Sequence, residues 1–161
     1  KTNEMIITRR DISTVVLWQK NPNLLDSEII MIKEFRSPAR TPDGFIHEFP
    51  GGSTPKDDVD PLDIAQEEVF EETGLHFEKS RFKFLCSRQL AGTFSTHHSY
   101  LFAIKLTDRE MDYYKQSRGV PHGDDGLSER TYIEVKTLKE ILSEKLADWS
   151  TLGMIMQVIS E

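Results

Sequence analysis

Short runs of apolar and β-branched residues recur along the chain and predict its strands. TVVLW at Thr14–Trp18 is one such run, and EIIMIKEF at Glu28–Phe35 follows it after a loop that contains proline, asparagine and aspartate. We expect these two strands to form a hairpin with a loose turn. The same reasoning predicts further strands over Phe45–Phe49, Arg81–Gln89, Ser99–Leu106 and Thr131–Val135.

Helical patterns lie between and after these strands. The strongest covers Pro61–Thr73, because Asp60 suits the N-cap, proline suits the first helical position and Gly74 suits the position just past the end. Together with the strands, the helices predict a single α/β domain over residues 1–161, with a mixed sheet between helices. The other segments are predicted as helices at Leu138–Leu146 and Trp149–Ile159 (with Ser150 as cap), a helix or loop at Asp108–Ser117, and a loop at Gly119–Ser128.

Composition narrows the classes of function. The chain has 161 residues, of which 37% are hydrophobic and 29% charged, as expected for one soluble globular domain. No apolar run approaches the roughly 20 residues that span a bilayer, so we expect no membrane partner. The net charge of −7 and the lack of a basic stripe argue against nucleic-acid binding. An acidic protein that handles phosphates needs metal ions or local arginines.

Cysteine content and the first residues suggest a compartment. Cys86 is the only cysteine, so it forms no internal disulfide, and we expect a cytoplasmic setting. No signal peptide is visible after Lys1. Because the chain does not begin with methionine, we expect a trimmed N-terminus, which leaves open an upstream signal or domain.

The helix at Pro61–Thr73 carries a cluster of acidic residues. Glu68, Glu71 and Glu72 lie at i, i+3 and i+4 and therefore share one side of the helix, which contains no lysine or arginine. Mg²⁺ prefers such oxygen-rich clusters. A solvated acidic face is the alternative interpretation. The preceding Pro50–Gly52 favours a site, because glycines let the backbone approach a ligand closely.

This stretch resembles the Nudix box. That box has a glycine and a loop, followed by Arg-Glu-apolar-x-Glu-Glu-x-Gly-apolar, and the chain reads EEVFEETGL at Glu67–Leu75, after Gly52 and a loop. The wider chain is similar to the ADP-ribose and nucleoside-diphosphate-sugar pyrophosphatase branch of that family. Its matching segments are IIMIKEFRSPA (Ile29–Ala39), FIHEFPGG (Phe45–Gly52), GTFSTHHSYL (Gly92–Leu101) and the terminal helix from Asp148.

The resemblance implies a Nudix α/β/α sandwich with a mixed sheet and a metal-dependent reaction. Glu68 and Glu72 would be the main Mg²⁺ ligands, with Glu71 assisting and the Gly51 carbonyl completing the shell; Mn²⁺ could substitute. The metal would ready a water for attack on the diphosphate bond of ADP-ribose or another nucleoside-diphosphate sugar, giving a nucleoside monophosphate and a sugar phosphate.

Substrate contacts and the general base follow from the same resemblance. Arg36 would bind phosphate, unless it forms only a surface ion pair, and Gly52 would approach the substrate. Glu48 would hold the terminal ribose or a metal-bound water, unless it is only an edge-strand polar residue. Glu129 is the preferred general base over Asp124 and Asp125, and the alternative is that all three are solvated.

Two departures from the family pattern matter. Glu67 replaces the box arginine, which favours an alternative function: a catalytically impaired Nudix-fold nucleotide-binding or regulatory module. Lys56, Arg36 or Arg88 could restore the lost positive charge. The glutamate of the loop before the helix is matched only by Asp57 and Asp58, and a proline after the box is missing.

The expected partner is a small-molecule nucleotide, and the resemblance suggests a homodimer. Trp18 and Cys86 are expected in the core. His97 and His98 are adjacent, so on a strand they point to opposite faces and form no paired metal site, although one of them could line the pocket.

Overall fold

The computed structural model describes residues 5–122 and 130–161. These residues form eight strands and four α-helices, so the fold is α/β with a mixed sheet, as predicted. The elements are β1 (Ile12–Gln19), β2 (Glu28–Phe35), β3 (Phe45–Glu48), β4 (Gly51–Gly52), α1 (Pro61–Thr73), β5 (Lys83–Gln89), β6 (His98–Lys105), α2 (Asp108–Gln116), β7 (Pro121–His122), β8 (Thr131–Thr137), α3 (Leu138–Ser143) and α4 (Trp149–Ile159).

The sheet has the order β5-β6-β1-β2-β8-β7, with β3 paired to β2 and β4 paired to β1. Strands β1 and β6 are parallel, whereas the other pairs are antiparallel. The predicted hairpin is confirmed, since β1 and β2 are antiparallel and joined through a short 3₁₀ turn. None of the helices formed by the described residues is long and apolar enough to cross a membrane.

Two apolar cores lie on opposite faces of the sheet. Val15 and Leu17 of β1 pack on the side of α1 and α2, whereas Val16 and Trp18 pack on the side of α3 and α4. Successive side chains of a strand point to opposite faces, so a central strand covered on both sides is apolar throughout. Trp18 is therefore a core residue, as predicted.

Helix α1 begins and ends where the sequence predicts. The Asp60 carboxylate accepts a hydrogen bond from the Leu62 N–H at 2.8 Å, and Gly74 adopts a left-handed φ of 72° just past the last turn. Helix α1 packs on the sheet through Ala65 and Val69, which are fully buried. This packing fixes which side of the helix faces the sheet.

One helix prediction that was left open is decided, and two need correction. The 108–117 segment is a helix, because Thr107 and Glu110 form a reciprocal capping box. Helix α3 ends at Ser143 rather than at 146, and Lys145 just beyond it has a left-handed φ of 53°. Asp148, not Ser150, caps α4, since its carboxylate accepts from the Thr151 N–H at 2.7 Å.

Strand boundaries differ by one to two residues from the prediction. Strand β5 begins at Lys83 because residues 79–81 form a 3₁₀ turn. The predicted loop after Gly119 includes the short strand β7, which pairs with β8. The part of that loop at positions 123–129 lies outside the described residues. The other differing ends are those of β1 at Ile12 and Gln19, β3 at Glu48, β6 at His98 and Lys105, and β8 at Thr137.

Candidate functional site

A cavity of about 530 Å³ opens where β1 and β2 separate. The two strands pair only at Trp18–Ile29 and Gln19–Glu28, and further along β4 pairs with β1 while β3 pairs with β2. The chain between β3 and β4 therefore crosses the gap. We call this space the carboxylate cavity; its charged lining residues are Glu34, Glu48, Glu68, Glu72, Asp148, Arg9 and Arg36.

The glycine turn at β4 is tightly packed on both sides. A Cβ on Gly51 would lie 2.3 Å from the Ser13 carbonyl oxygen, and a Cβ on Gly52 would lie 2.3 Å from Oε1 of Glu68. Both glycines are required by close approach rather than by a positive φ. Gly51 also donates its N–H to Oε2 of Glu72 at 2.9 Å. The Gly51–Gly52 segment thus lies close to the carboxylates of both Glu68 and Glu72.

Helix α1 sends only part of its acidic cluster into the cavity. Glu68 and Glu72, one turn apart, line the cavity, whereas Glu71 and Glu67 are exposed and lie outside its lining. The direction of α1 is set by the burial of its apolar face, so residues at i and i+4 share the cavity side. The structure therefore brings together two of the three predicted glutamates, and the assisting role of Glu71 stays a prediction.

Two glutamates from the sheet complete the acidic wall. Glu48 was predicted from sequence, whereas Glu34, which is only 6% exposed, was missed. The alternation of residues along β2 could have identified Glu34 from the sequence. Ile30, Ile32 and Glu34 alternate along β2, and the two isoleucines belong to the core on the α1 side. An acidic residue in register with a buried face is the sign of a built site.

Arg36 bridges these two sheet glutamates. Its guanidinium lies 2.9 Å from Oε2 of Glu34 and 3.1 Å from Oε2 of Glu48, and its side chain remains 46% exposed. Burial lowers the pKa of Arg36, but Glu48 and Glu34 outweigh burial, so the pKa lies above its usual value. Arg36 is therefore both an ion-pair partner and a cavity residue. Lys56 and Arg88, the other residues that could restore the lost positive charge, do not line this cavity.

The pKa of Glu72 reflects its buried and acidic surroundings. It is raised to about 8, first by burial and then by the charges of Glu68, Glu34 and Glu48, while the hydrogen bond from the Gly51 N–H opposes the shift. A carboxyl group that resists ionisation so strongly is a group whose charged form needs a cation.

The donor set suits a hard cation, although the side chains do not yet converge. In residues 5–122 and 130–161, no group of three or more His, Cys, Asp or Glu side chains could hold a metal ion as arranged. The chemistry nevertheless fits, because carboxylate oxygens from α1, β2 and β3 line one space, and Gly52 leaves room for Glu68.

Among the other lining residues, His97 fits the expectation that one of the two adjacent histidines lines the pocket, whereas Thr131, Arg9 and α4 were not predicted. Thr131 lies opposite Glu34 in the β2–β8 register, is 3% exposed, and has a hydroxyl oxygen without a hydrogen-bond partner in the described part of the chain. Arg9 and the N-terminal end of α4 also line the cavity, as does His97. His97 lies just before β6, and its Nδ1 is 2.6 Å from the Ser95 hydroxyl.

Several predicted residues lie elsewhere. Asp57 pairs with Arg10 at 2.8 Å on the surface, and Asp58 is outside the cavity lining. Cys86 is a free thiol, partly buried against the core on the α4 side. The general-base candidates Glu129, Asp124 and Asp125 fall outside the described residues.

No protein-family model matches this chain, and no curated protein matches it either.

Proposed function

We propose that this protein is a Nudix-type hydrolase that cleaves the diphosphate bond of a nucleoside-diphosphate compound, with ADP-ribose or another nucleoside-diphosphate sugar as the preferred substrate. The observation that carries the proposal is the carboxylate cavity. Glu68 and Glu72 of a box-like helix face Glu34 and Glu48 of the sheet beside a Gly-Gly turn, with Arg36 on the same wall. Acidic and basic groups in one such cavity suit a metal-bound phosphate ligand.

Mg²⁺ is the proposed cofactor, and Glu68 and Glu72 are its proposed main ligands, with Glu71 and the Gly51 carbonyl as further candidates. When bound, the metal would neutralise diphosphate charge and lower the pKa of an attacking water. Arg36 would use its planar donors to hold phosphate oxygens. Its ion pairs with Glu34 and Glu48 fix the direction of the guanidinium, which reduces the entropy lost on binding. Glu129 remains the proposed general base.

A binding module without turnover is the second candidate. The exposed Glu67 favours it, because a negative charge stands where the resembling family carries arginine. Arg36 is already paired with two glutamates, so its charge compensates those groups first. Such a module would bind a nucleotide, with or without metal, and release no product.

A substrate panel separates the two candidates. Purified protein is incubated with ADP-ribose, UDP-glucose, NADH and diadenosine polyphosphates, each with Mg²⁺ and with a chelator, and products are resolved by anion-exchange chromatography. The enzyme account predicts a nucleoside monophosphate and a sugar phosphate from at least one nucleotide sugar, only with Mg²⁺. Tight nucleotide binding without any product supports the module instead.

A further inference from the structure

A second cavity, of about 410 Å³, lies between α4 and the β5–β6 edge of the sheet. Its volume is in the range of roughly 300–1,000 Å³ that is typical of small-molecule pockets. The side chains that shape it come from both elements. They include Cys86, Arg88, Leu101, Gly153, Met156 and Gln157.

This second cavity adjoins the carboxylate cavity. Leu90, Ser150 and Met154 line both spaces, so the two share a wall at the N-terminal half of α4. A ligand held by its diphosphate in the carboxylate cavity can therefore extend past Met154 without leaving the protein surface.

The chemistry of the two spaces differs sharply. Five carboxylates line the carboxylate cavity, whereas Arg88 is the only charged residue among the described residues that line the second cavity. Methionine and leucine side chains supply apolar contacts there, and methionine sulfur makes favourable contacts with aromatic rings. The Gln157 amide offers both a donor and an acceptor. This combination suits a flat, uncharged ring with polar edges, and it does not suit a metal ion.

Gly153 lines the second cavity at an exposed position of α4. A Cβ built on it would have no atom within 4 Å, so a side chain has room there. A larger side chain there would project into empty space rather than into the fold. Glycine is an unfavourable residue inside a helix, so substitution by alanine would favour the helix.

We propose that the second cavity receives the nucleobase of the substrate, with the base lying against Met154 and Met156 and its polar edge at Gln157. This inference rests on the proposed function, because it takes the diphosphate to lie in the carboxylate cavity. It deepens that function by assigning the base end of the substrate to named residues of α4.

The test uses the folded protein and two kinds of uncharged probe, nucleosides and ribose. Adenosine, guanosine, cytidine and uridine are titrated without metal and followed through assigned backbone amide NMR signals, with ribose as the matched probe that lacks a base. At least one nucleoside is expected to shift the signals of Gly153, Met156 and Gln157, and ribose is not. Gly153→Leu should lower the affinity of the protein for that nucleoside by at least about tenfold. Gly153→Ala should leave this affinity within about twofold of the wild-type value.

The outcomes separate this inference from the proposed function. Shifts confined to the carboxylate cavity, the absence of nucleoside shifts, or equal affinity in wild type and Gly153→Leu would each overturn the nucleobase assignment, whatever turnover is found. If nucleosides bind at α4 but the protein cleaves no diphosphate, the nucleobase assignment stands and the proposed hydrolase function is rejected. If a nucleotide sugar is cleaved, Gly153→Leu should also raise its KM by about tenfold with kcat nearly unchanged.

Discussion

Gly52 lies against the carboxylate of Glu68, so an added side chain must displace that carboxylate. A Cβ on Gly52 would lie 2.3 Å from Oε1 and 2.6 Å from Cδ of Glu68. The neighbouring Gly51 is restricted by backbone instead, with the Ser13 carbonyl oxygen at 2.3 Å and the Thr14 Cα at 2.9 Å from its added Cβ. The two adjacent glycines thus serve different purposes. Gly51 lets β4 lie close to the backbone of β1, and Gly52 leaves space for the Glu68 carboxylate.

Gly52→Ala should therefore damage function more than folding. The added methyl group displaces the flexible end of Glu68, so we expect kcat/KM to fall at least about tenfold, with a loss of about 1 kcal/mol or less in unfolding free energy. Gly51→Ala pushes against backbone and should cost about 1–3 kcal/mol. Urea unfolding and steady-state kinetics on both variants check this. The reverse order of stability losses would contradict the assignment.

Glu72→Gln should abolish Mg²⁺-dependent turnover and yet stabilise the metal-free protein. The pKa of Glu72 in the fold is about 8, above its ordinary value of 4.5, so the folded state holds this proton more tightly than the unfolded state. The contribution of Glu72 to wild-type stability is therefore full below pH 4.5, falls as pH rises, and is lost above about pH 8. Glutamine does not ionise, so the stability of the Glu72→Gln variant should not fall in this way as the pH rises.

The measurement for Glu72→Gln is a series of thermal unfolding curves from pH 5 to pH 9 in chelator. The difference in melting temperature between variant and wild type should grow with pH and level off above about pH 8, at roughly 2–4 °C for each kcal/mol. Glu71→Gln is the matched control, because Glu71 is exposed on the same helix and should show no such trend. A variant that melts below wild type throughout the series would refute the charge argument.

Thr131 and Thr73 make a matched pair for stability. Both are buried, but the Thr73 hydroxyl donates to the Val69 carbonyl at 2.6 Å and contacts the Tyr114 hydroxyl at 3.1 Å, whereas the Thr131 hydroxyl has no partner in the described part of the chain. Thr73→Val should cost about 1–3 kcal/mol, while Thr131→Val should be neutral or stabilising. Equal losses in chemical denaturation would mean that Thr131 is satisfied in solution.

Glu67→Arg tests whether the departure from the box pattern limits the reaction. Glu67 is exposed on α1, so the substitution should leave the fold intact. It removes one negative charge near the acidic wall and adds a positive one, and turnover should stay similar or rise by up to roughly tenfold, or about 1.4 kcal/mol of barrier. Steady-state kinetics with Mg²⁺ would show it. A loss of activity greater than tenfold would mean that Glu67 itself contributes to the site.

Local patterns in the sequence predict most of the fold but only part of the site. Helix α1 is predicted to the residue because Asp60, Pro61 and Gly74 act within the helix itself. Helix α2 is left undecided because the Thr107–Glu110 capping box is easily overlooked in a polar segment. The end of α3 is missed because helical spacing continues past Ser143 in the sequence, whereas Lys145 adopts a left-handed φ. The bounds of α4 are predicted, but its cap is not, because Asp148 and Ser150 are both suitable cap residues near its start.

The missed site residues depend on tertiary structure. Glu34 and Thr131 enter the carboxylate cavity because β2 and β8 pair in a register that aligns them. The contribution of α4 to the cavity likewise depends on packing against the far face of the sheet. By contrast, Glu68, Glu72, Glu48 and Arg36 were predicted, since the spacing on one helix and the resemblance to a known motif both lie within short segments.

The central claim is that the carboxylate cavity holds a divalent metal through Glu68 and Glu72. Calorimetric titration of the protein with Mg²⁺ and Mn²⁺, in parallel with a Glu68→Gln, Glu72→Gln double variant and with Glu71→Gln, tests this most directly. We predict saturable binding of both ions to the wild type, near-complete loss in the double variant, and little change in Glu71→Gln. Undetectable binding to the wild type, or binding that survives in the double variant, would contradict the account.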